Sequence, residues 1–130
     1  DYWRHFLRFT QDVLLARQLI SPDDLHLFKV TNSVEEAVAE IVDFYRVYHS
    51  MRYVRGDLVL RLNRTISDAT LKQLRAEFTD ICKNGSFDLT NALPEESEET
   101  LLAKLPRLVF RFDRHKLGRL RQLIDLVNQD

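Results

Sequence analysis

The most unusual polar cluster of this 130-residue chain lies between residues 46 and 55, where cations, hydroxyls and an imidazole gather in a short stretch. Its candidate anion-binding residues are Arg46, His49, Ser50, Arg52 and Arg55. Guanidinium groups bind phosphate and carboxylate oxygens through paired N–H donors, and a serine hydroxyl adds a further hydrogen bond. We therefore predict that this stretch can hold a small anion, such as the phosphate of a nucleotide.

The same cluster also has a purely structural interpretation. The helical pattern that precedes it places the cluster at a helix C-terminus, where the partial negative charge of the helix repels anions and attracts Arg and His. Tyr48 and Tyr53 would then bury their rings and leave their hydroxyls in water. Anion binding and helix capping are therefore both open interpretations of these residues.

A second basic cluster follows near the end of the chain and comprises Arg107, Arg111, Arg114, His115, Lys116, Arg119 and Arg121. The alternation of residues 107–112 predicts a strand on which Arg107 and Arg111 share one face. We expect that face to be open to solvent or to another subunit, with the acidic stretch 95–99 neutralising it. The net charge of −1 argues against nucleic acid, so a salt-bridged surface is the prediction.

The sequence carries no motif for metal or covalent chemistry. The four histidines, at positions 5, 26, 49 and 115, are far apart, and Cys82 has no partner at metal-ligand spacing. Because Cys82 ends an apolar helical face, we predict a buried thiol. A Gly-x-Ser-x-Gly nucleophile elbow is also missing. We therefore predict no catalytic residue, no metal site and no cofactor in this chain.

The clearest secondary-structure signals of the chain lie in residues 20–38, where two helix starts flank a short extended run. The first start combines a serine cap, a proline at the first helical position and a capping-box acid, namely Ser21, Pro22 and Asp24. Ser33 and Glu36 form a second capping box of the same kind. The run between them, residues 27–31, is typical of a strand.

Amphipathic spacing extends this unit in both directions, with helices predicted over residues 1–19 and 34–50. The resulting helix–strand–helix order is typical of the closing unit of an α/β sheet. The chain has no initiator Met and opens inside a helical pattern, so we expect a longer parent protein.

The same residues resemble the C-terminal end of the LOG ("lonely guy") family, which is also described as lysine decarboxylase-like. The resemblance covers about residues 1–45 and lies in Tyr2-Trp3 heading an apolar helix, then LISPDDL, a short strand and VTNSVEEAV. It implies a Rossmann-like domain of a bacterial enzyme that cleaves the N-glycosidic bond of nucleoside 5′-monophosphates. The family's Pro-Gly-Gly-x-Gly-Thr-x-x-Glu loop is absent here, so the catalytic residues are expected upstream of Asp1.

Residues 46–130 predict a small α+β extension domain with a ferredoxin-like character. Period-two alternation indicates strands at 58–62, 86–90 and 107–112, and helices are predicted to start at Ser67 or Asp68 and at Asp113. The order is β-α-β-β-α, which is one strand short of the ferredoxin-like pattern. The sheet is predicted to be antiparallel or mixed, with both helices on its apolar face.

Gly118 is unusual because it lies inside the last predicted helix, where glycine costs about 1 kcal/mol relative to alanine. We predict that another backbone approaches the helix at this point, for example that of a second subunit.

Together these features predict the C-terminal scaffold and assembly portion of a LOG-like phosphoribohydrolase that forms a homo-oligomer. The alternative is a non-catalytic regulatory domain that binds a nucleotide or another small anionic metabolite, or that mediates oligomerisation. The sequence has no apolar run long enough for a bilayer, and its single cysteine suits a reducing compartment. We therefore expect a cytoplasmic protein that binds neither membranes nor nucleic acid.

Overall fold

The computed structural model describes residues 2–130, so Asp1, with which the predicted helix 1–19 starts, lies outside it. The helices and strands are α1 Tyr2–Phe9, α2 Val34–Phe44, β1 Tyr48–Val54, β2 Asp57–Leu62, α3 Asp68–Glu77, β3 Asp88–Thr90, β4 Arg107–Phe110 and α4 Leu117–Gln129. Thr10–Leu15 continues α1 as a π-helix. Across residues 2–130, no helix combines the length and the apolar character that crossing a bilayer requires.

The four strands form one open antiparallel sheet in the order β1-β2-β4-β3, which confirms an α+β architecture. Alternate residues of β2 and β4, including Leu58, Leu60 and Leu108, face α3 and α4. Their helical partners in this core are Leu74, Phe78, Leu120, Leu123, Ile124 and Val127. The core also contains Cys82, as predicted.

The predicted helix 34–50 is wrong in its second half, because α2 ends at Phe44 and β1 begins at Tyr48. The missed signal is the turn that follows β1. Arg55 and Gly56 both have positive φ, at 50° and 93°, and they join Val54 to Asp57 in a two-residue hairpin. Only glycine adopts such a conformation without cost, and this turn type suits the twist of paired strands.

Asn128 in α4 holds the break between α2 and β1 in place. Its Oδ1 accepts hydrogen bonds from the backbone N–H groups of Val47 and Tyr48, at 2.8 and 2.9 Å. Its Nδ2 donates to the carbonyl oxygen of Phe44 at 2.6 Å. The side chain is only 4% exposed, so it supplies partners that water could not supply.

Two further predictions are wrong. Pro22–Leu27 forms a 3₁₀ helix, and residues 28–31 form no regular element and have no strand partner in the described part of the chain, so the predicted strand 27–31 does not form. Asp113 does not cap the last helix, because α4 starts at Leu117 with Lys116 before it. The Asp113 carboxylate instead accepts the N–H of His115 in the preceding turn, at 3.4 Å.

Candidate functional site

The predicted anion-binding residues lie along β1 and its flanks, and the structure does not bring them together at a helix end. Arg46 follows α2, and its Nε donates to the carbonyl oxygen of Asn128 at 2.7 Å. His49 and Ser50 are neighbours in β1, and the imidazole Nδ1 lies 2.9 Å from the serine Oγ. The helix-capping interpretation of this stretch is therefore wrong for the residues that lie in β1.

The other two members of the cluster are engaged by acids. Arg52 forms an ion pair with Glu99, and Arg55 pairs with Glu95 at 2.6 Å. Both glutamates belong to residues 91–106, here called the acidic connection, which joins β3 to β4. Anion binding by these arginines stays a prediction, and an incoming anion would have to displace a carboxylate that is already bound.

The acidic connection covers the sheet face that lies opposite α3 and α4. The prediction that Arg107 lies on an open face is wrong, because its side chain is 0% exposed. Its Nε donates to Glu96 Oε2 at 2.9 Å, while Arg61, its cross-strand neighbour, donates through Nε and Nη2 to Glu96 Oε1 at 2.9 and 2.7 Å. The predicted neutralisation by residues 95–99 is confirmed for Arg107, which pairs with Glu96. The ion pairs of Arg111, Lys116, Arg119 and Arg121 are formed with acids outside that stretch.

Glu96 is the centre of this network and is 1% exposed. Burial alone raises the pKa of its carboxyl. Hydrogen bonds from Arg107, from Arg61 and from the backbone N–H of Leu93 outweigh that effect and lower the pKa to about 2. A buried carboxylate whose oxygens accept hydrogen bonds from two arginines and a backbone N–H has a structural role.

The lowered pKa of Glu96 predicts a pH dependence of folding. Its pKa is about 2 in the folded chain against an ordinary value of 4.5, so the stabilisation is complete above pH 4.5 and is lost as the pH falls towards 2. Urea unfolding across this range should show a steeper loss of stability for the natural chain than for Glu96→Gln. Parallel curves for the two proteins would contradict this assignment.

The second basic cluster is dispersed. Arg111 contacts Asp57 at 3.2 Å, Lys116 and Arg119 contact Asp80, and Arg121 bridges Glu40 and Asp125. The guanidinium of Arg114 lies 4.1 Å from the ring centre of Tyr53. These mostly exposed pairs are each worth about 0–1 kcal/mol, and they leave no continuous basic face.

The helices α1 and α2 carry uncovered apolar side chains. Neither helix contains a buried residue. On α2, the residues Val34, Ile41 and Val42 are 73%, 61% and 63% exposed, and Val38 and Tyr45 extend the same stripe. On α1, Trp3 and Phe6 stack edge to face, and Phe6 continues onto Phe28 at 5.6 Å.

The 3₁₀ helix 22–27 joins this N-terminal part to α4 at Gly118. A Cβ on Gly118 would lie 2.1 Å from the carbonyl oxygen of Asp23, so the predicted close approach of a backbone is confirmed. The approaching backbone belongs to the same chain, where the prediction had suggested a second subunit. Gln122 Nε2 adds a hydrogen bond to Asp23 Oδ1 at 3.1 Å.

Substituting Gly118→Ala should therefore separate the 3₁₀ helix 22–27 from α4. Overpacking against a rigid backbone costs about 1–3 kcal/mol, which exceeds the gain of about 1 kcal/mol in helix propensity. Hydrogen exchange should show faster exchange of residues 22–27 in the variant. The control is Leu117→Ala, because Leu117 is exposed and precedes Gly118 in α4. Slower exchange in Gly118→Ala than in the natural chain would contradict the packing argument.

Within residues 2–130 no group of histidine, cysteine, aspartate or glutamate side chains is arranged to hold a metal ion. The sequence patterns indicate no role for Arg61 or Asn128, and they place Glu96 only within the acidic stretch 95–99. The alternation of a strand does not show what covers its polar face, so the burial of Arg61 could not be predicted. Comparisons of the chain with protein families, with curated proteins and with solved structures found no match.

Proposed function

We propose that this chain is the C-terminal scaffold and assembly portion of a LOG-like nucleoside 5′-monophosphate phosphoribohydrolase. The observation that supports the proposal best is the contrast between its two parts. Residues 46–130 enclose a complete hydrophobic core, whereas the apolar faces of α1 and α2 are left exposed. Exposed apolar surface of this extent is typical of a face that packs against another structure.

The segment 28–31 supports the same proposal. It lies beside α1, where Trp3, Phe6 and Phe28 border an apolar groove, and its backbone has no strand partner in residues 2–130. This segment, between two helices with exposed apolar faces, has the position in the chain that the last strand of a doubly wound sheet would have. In the proposed parent enzyme, α1, the 28–31 run and α2 complete such a sheet.

The chemistry in this proposal belongs to residues outside the chain. Hydrolysis of the N-glycosidic bond transfers the ribose 5-phosphate from the base to water and needs a bound phosphate and an acid. The described carboxylates with lowered pKa, such as Glu96 and Asp80, are held by arginine or lysine partners and serve the fold. In this proposal the chain contributes scaffold and subunit contacts, and the residues that react lie outside it.

We also infer that residues 48–130 are a permuted form of the ferredoxin-like arrangement. The run β2-α3-β3-β4-α4 follows the β-α-β-β-α order of that pattern. The remaining strand is β1, which precedes the run in sequence and pairs with β2 at the edge of the sheet. Asn128 supports this inference, because it links the end of α4 to the start of β1.

The proposal is tested by measuring the release of free base from AMP, GMP and CMP. The parent protein should release base, and the 130-residue chain alone should release none. In the parent, Val38→Asp on the apolar stripe should reduce both activity and assembly, whereas the control Glu35→Gln on the same helix should not. Turnover by the isolated chain, or a coding sequence without a Gly-rich phosphate loop and its glutamate before Asp1, would overturn the proposal.

A second candidate function is that of a regulatory domain that binds a small metabolite. It is favoured by one observation, a cavity of 470 Å³ between the 22–31 segment, α2 and α4. This volume lies within the range of about 300–1,000 Å³ that is usual for small-molecule sites.

A further inference from the structure

The cavity between the 22–31 segment, α2 and α4 has a lining that combines an apolar part with charges of both signs. Leu25, Phe28 and Phe44 supply the apolar part. The cationic side chains are Lys29, Arg46 and Arg121, and the carboxylates are Glu40, Asp43 and Asp125. The formal charges cancel, so a ligand of strong net charge of either sign would face repulsion as well as attraction.

Most of these charges already neutralise one another. Lys29 Nζ lies 2.7 Å from Glu40, Glu40 also pairs with Arg121 at 2.6 Å, and Arg121 continues to Asp125 at 2.8 Å. The hydrogen bonds from Lys29 and Arg121 accordingly lower the pKa of Glu40. This chain of ion pairs forms a fixed wall of the cavity.

Asp43 and Arg46 are the exception. They stand three residues apart at the end of α2, where side chains of opposite charge usually meet. Their side chains do not pair, because the Arg46 guanidinium donates through Nε and Nη2 to the carbonyl oxygen of Asn128. Both residues are exposed, and within residues 2–130 the Asp43 carboxylate has no hydrogen-bond or ion-pair partner while Arg46 Nη1 has no acceptor.

An unpaired carboxylate and a guanidinium with a remaining N–H donor that line one cavity complement a ligand that carries both charges. We propose that this cavity binds a free α-amino acid with an apolar side chain. Asp43 receives the ammonium group, while Arg46 Nη1 and the remaining donors of Lys29 receive the carboxylate. The ligand side chain packs against Phe28 and Phe44, which border the same space.

Such a ligand would bridge the N-terminal segment and the extension domain, because Lys29 belongs to the first and Arg46 lies at the start of the second. This inference rests on the regulatory candidate function and is independent of the hydrolase proposal. Binding can therefore fail while base release persists, or the reverse.

Isothermal titration of the purified protein tests the proposal with L-phenylalanine and two analogues that each lack one charge, phenethylamine and 3-phenylpropionate. L-phenylalanine should bind saturably and about tenfold or more tightly than either analogue. Asp43→Asn should weaken L-phenylalanine binding by a similar factor. Glu35→Gln is the matched control, because Glu35 is an exposed carboxylate on α2 that does not line this cavity.

Three results would overturn the proposal. Equal binding of 3-phenylpropionate or inorganic phosphate would indicate an anion site, and equal binding of phenethylamine would indicate a cation site. No saturable binding of L-phenylalanine or L-leucine at millimolar concentration would exclude the site. Unchanged thermal unfolding of Asp43→Asn without ligand ensures that a loss of binding is not a loss of folding.

Discussion

Replacing Glu96 with alanine is expected to destabilise the chain by about 3–5 kcal/mol, the usual cost of removing one partner from a buried ion pair. The substitution leaves the guanidinium groups of Arg61 and Arg107 beneath the acidic connection with one carboxylate fewer. Arg61 retains Glu99 at 2.8 Å, whereas Arg107 retains only carbonyl oxygens. Chemical denaturation followed by circular dichroism measures this loss.

The matched control is Glu98→Ala, because Glu98 lies in the same acidic connection but is exposed. Its substitution should change the free energy of unfolding by less than about 0.5 kcal/mol. If Glu96→Ala and Glu98→Ala were equally mild, the acidic connection would be a loose loop, and the buried network would have no structural role.

The second large effect is expected for Asn128→Ala, at about 2–4 kcal/mol. The substitution removes the acceptor of two buried backbone N–H groups, those of Val47 and Tyr48, and each unsatisfied group costs about 1–3 kcal/mol. Because these groups begin β1, hydrogen exchange should also accelerate across that strand.

Two further variants distinguish the loss of these hydrogen bonds from a general loss of packing. Asn128→Asp keeps both acceptor bonds but puts a buried carboxylate oxygen against the carbonyl oxygen of Phe44, so its loss should be at least as large as that of Asn128→Ala. Gln129→Ala should be nearly neutral, because Gln129 is exposed. A loss in Asn128→Ala no larger than in Gln129→Ala would show that water can replace the amide.

The sequence predicts the elements of this fold wherever one local signal dominates. The serine caps at Ser33 and Ser67, each accepting an N–H in its helix, fix the starts of α2 and α3. The alternation of Leu58, Leu60 and Leu62 predicts β2 and the face that packs against the helices, but it does not predict that Val59 and Arg61 on the opposite face are also buried. Gly118 indicates a close backbone contact, although its partner could not be read from sequence.

The predictions are wrong where tertiary contacts, and not the local sequence, determine the structure. Tyr48 fits the helical pattern of α2, but pairing with Leu62 and the Asn128 amide place it in a strand. Arg107 has the polarity of a surface residue, and only the fold of the acidic connection buries it. The same holds for the candidate site. The density of arginines in 46–55 does not predict that Arg52 and Arg55 pair with glutamates of the acidic connection.

Hydrogen exchange compared between the 130-residue chain and the proposed longer parent protein tests the central proposal most directly. The proposal is that α1 and α2 cover a sheet of that parent. In the parent, amides of Tyr2–Phe9 and Val34–Phe44 should become strongly protected, while those of β2 and β4 should keep the protection they already have. Equally fast exchange of α1 and α2 in both proteins would contradict it.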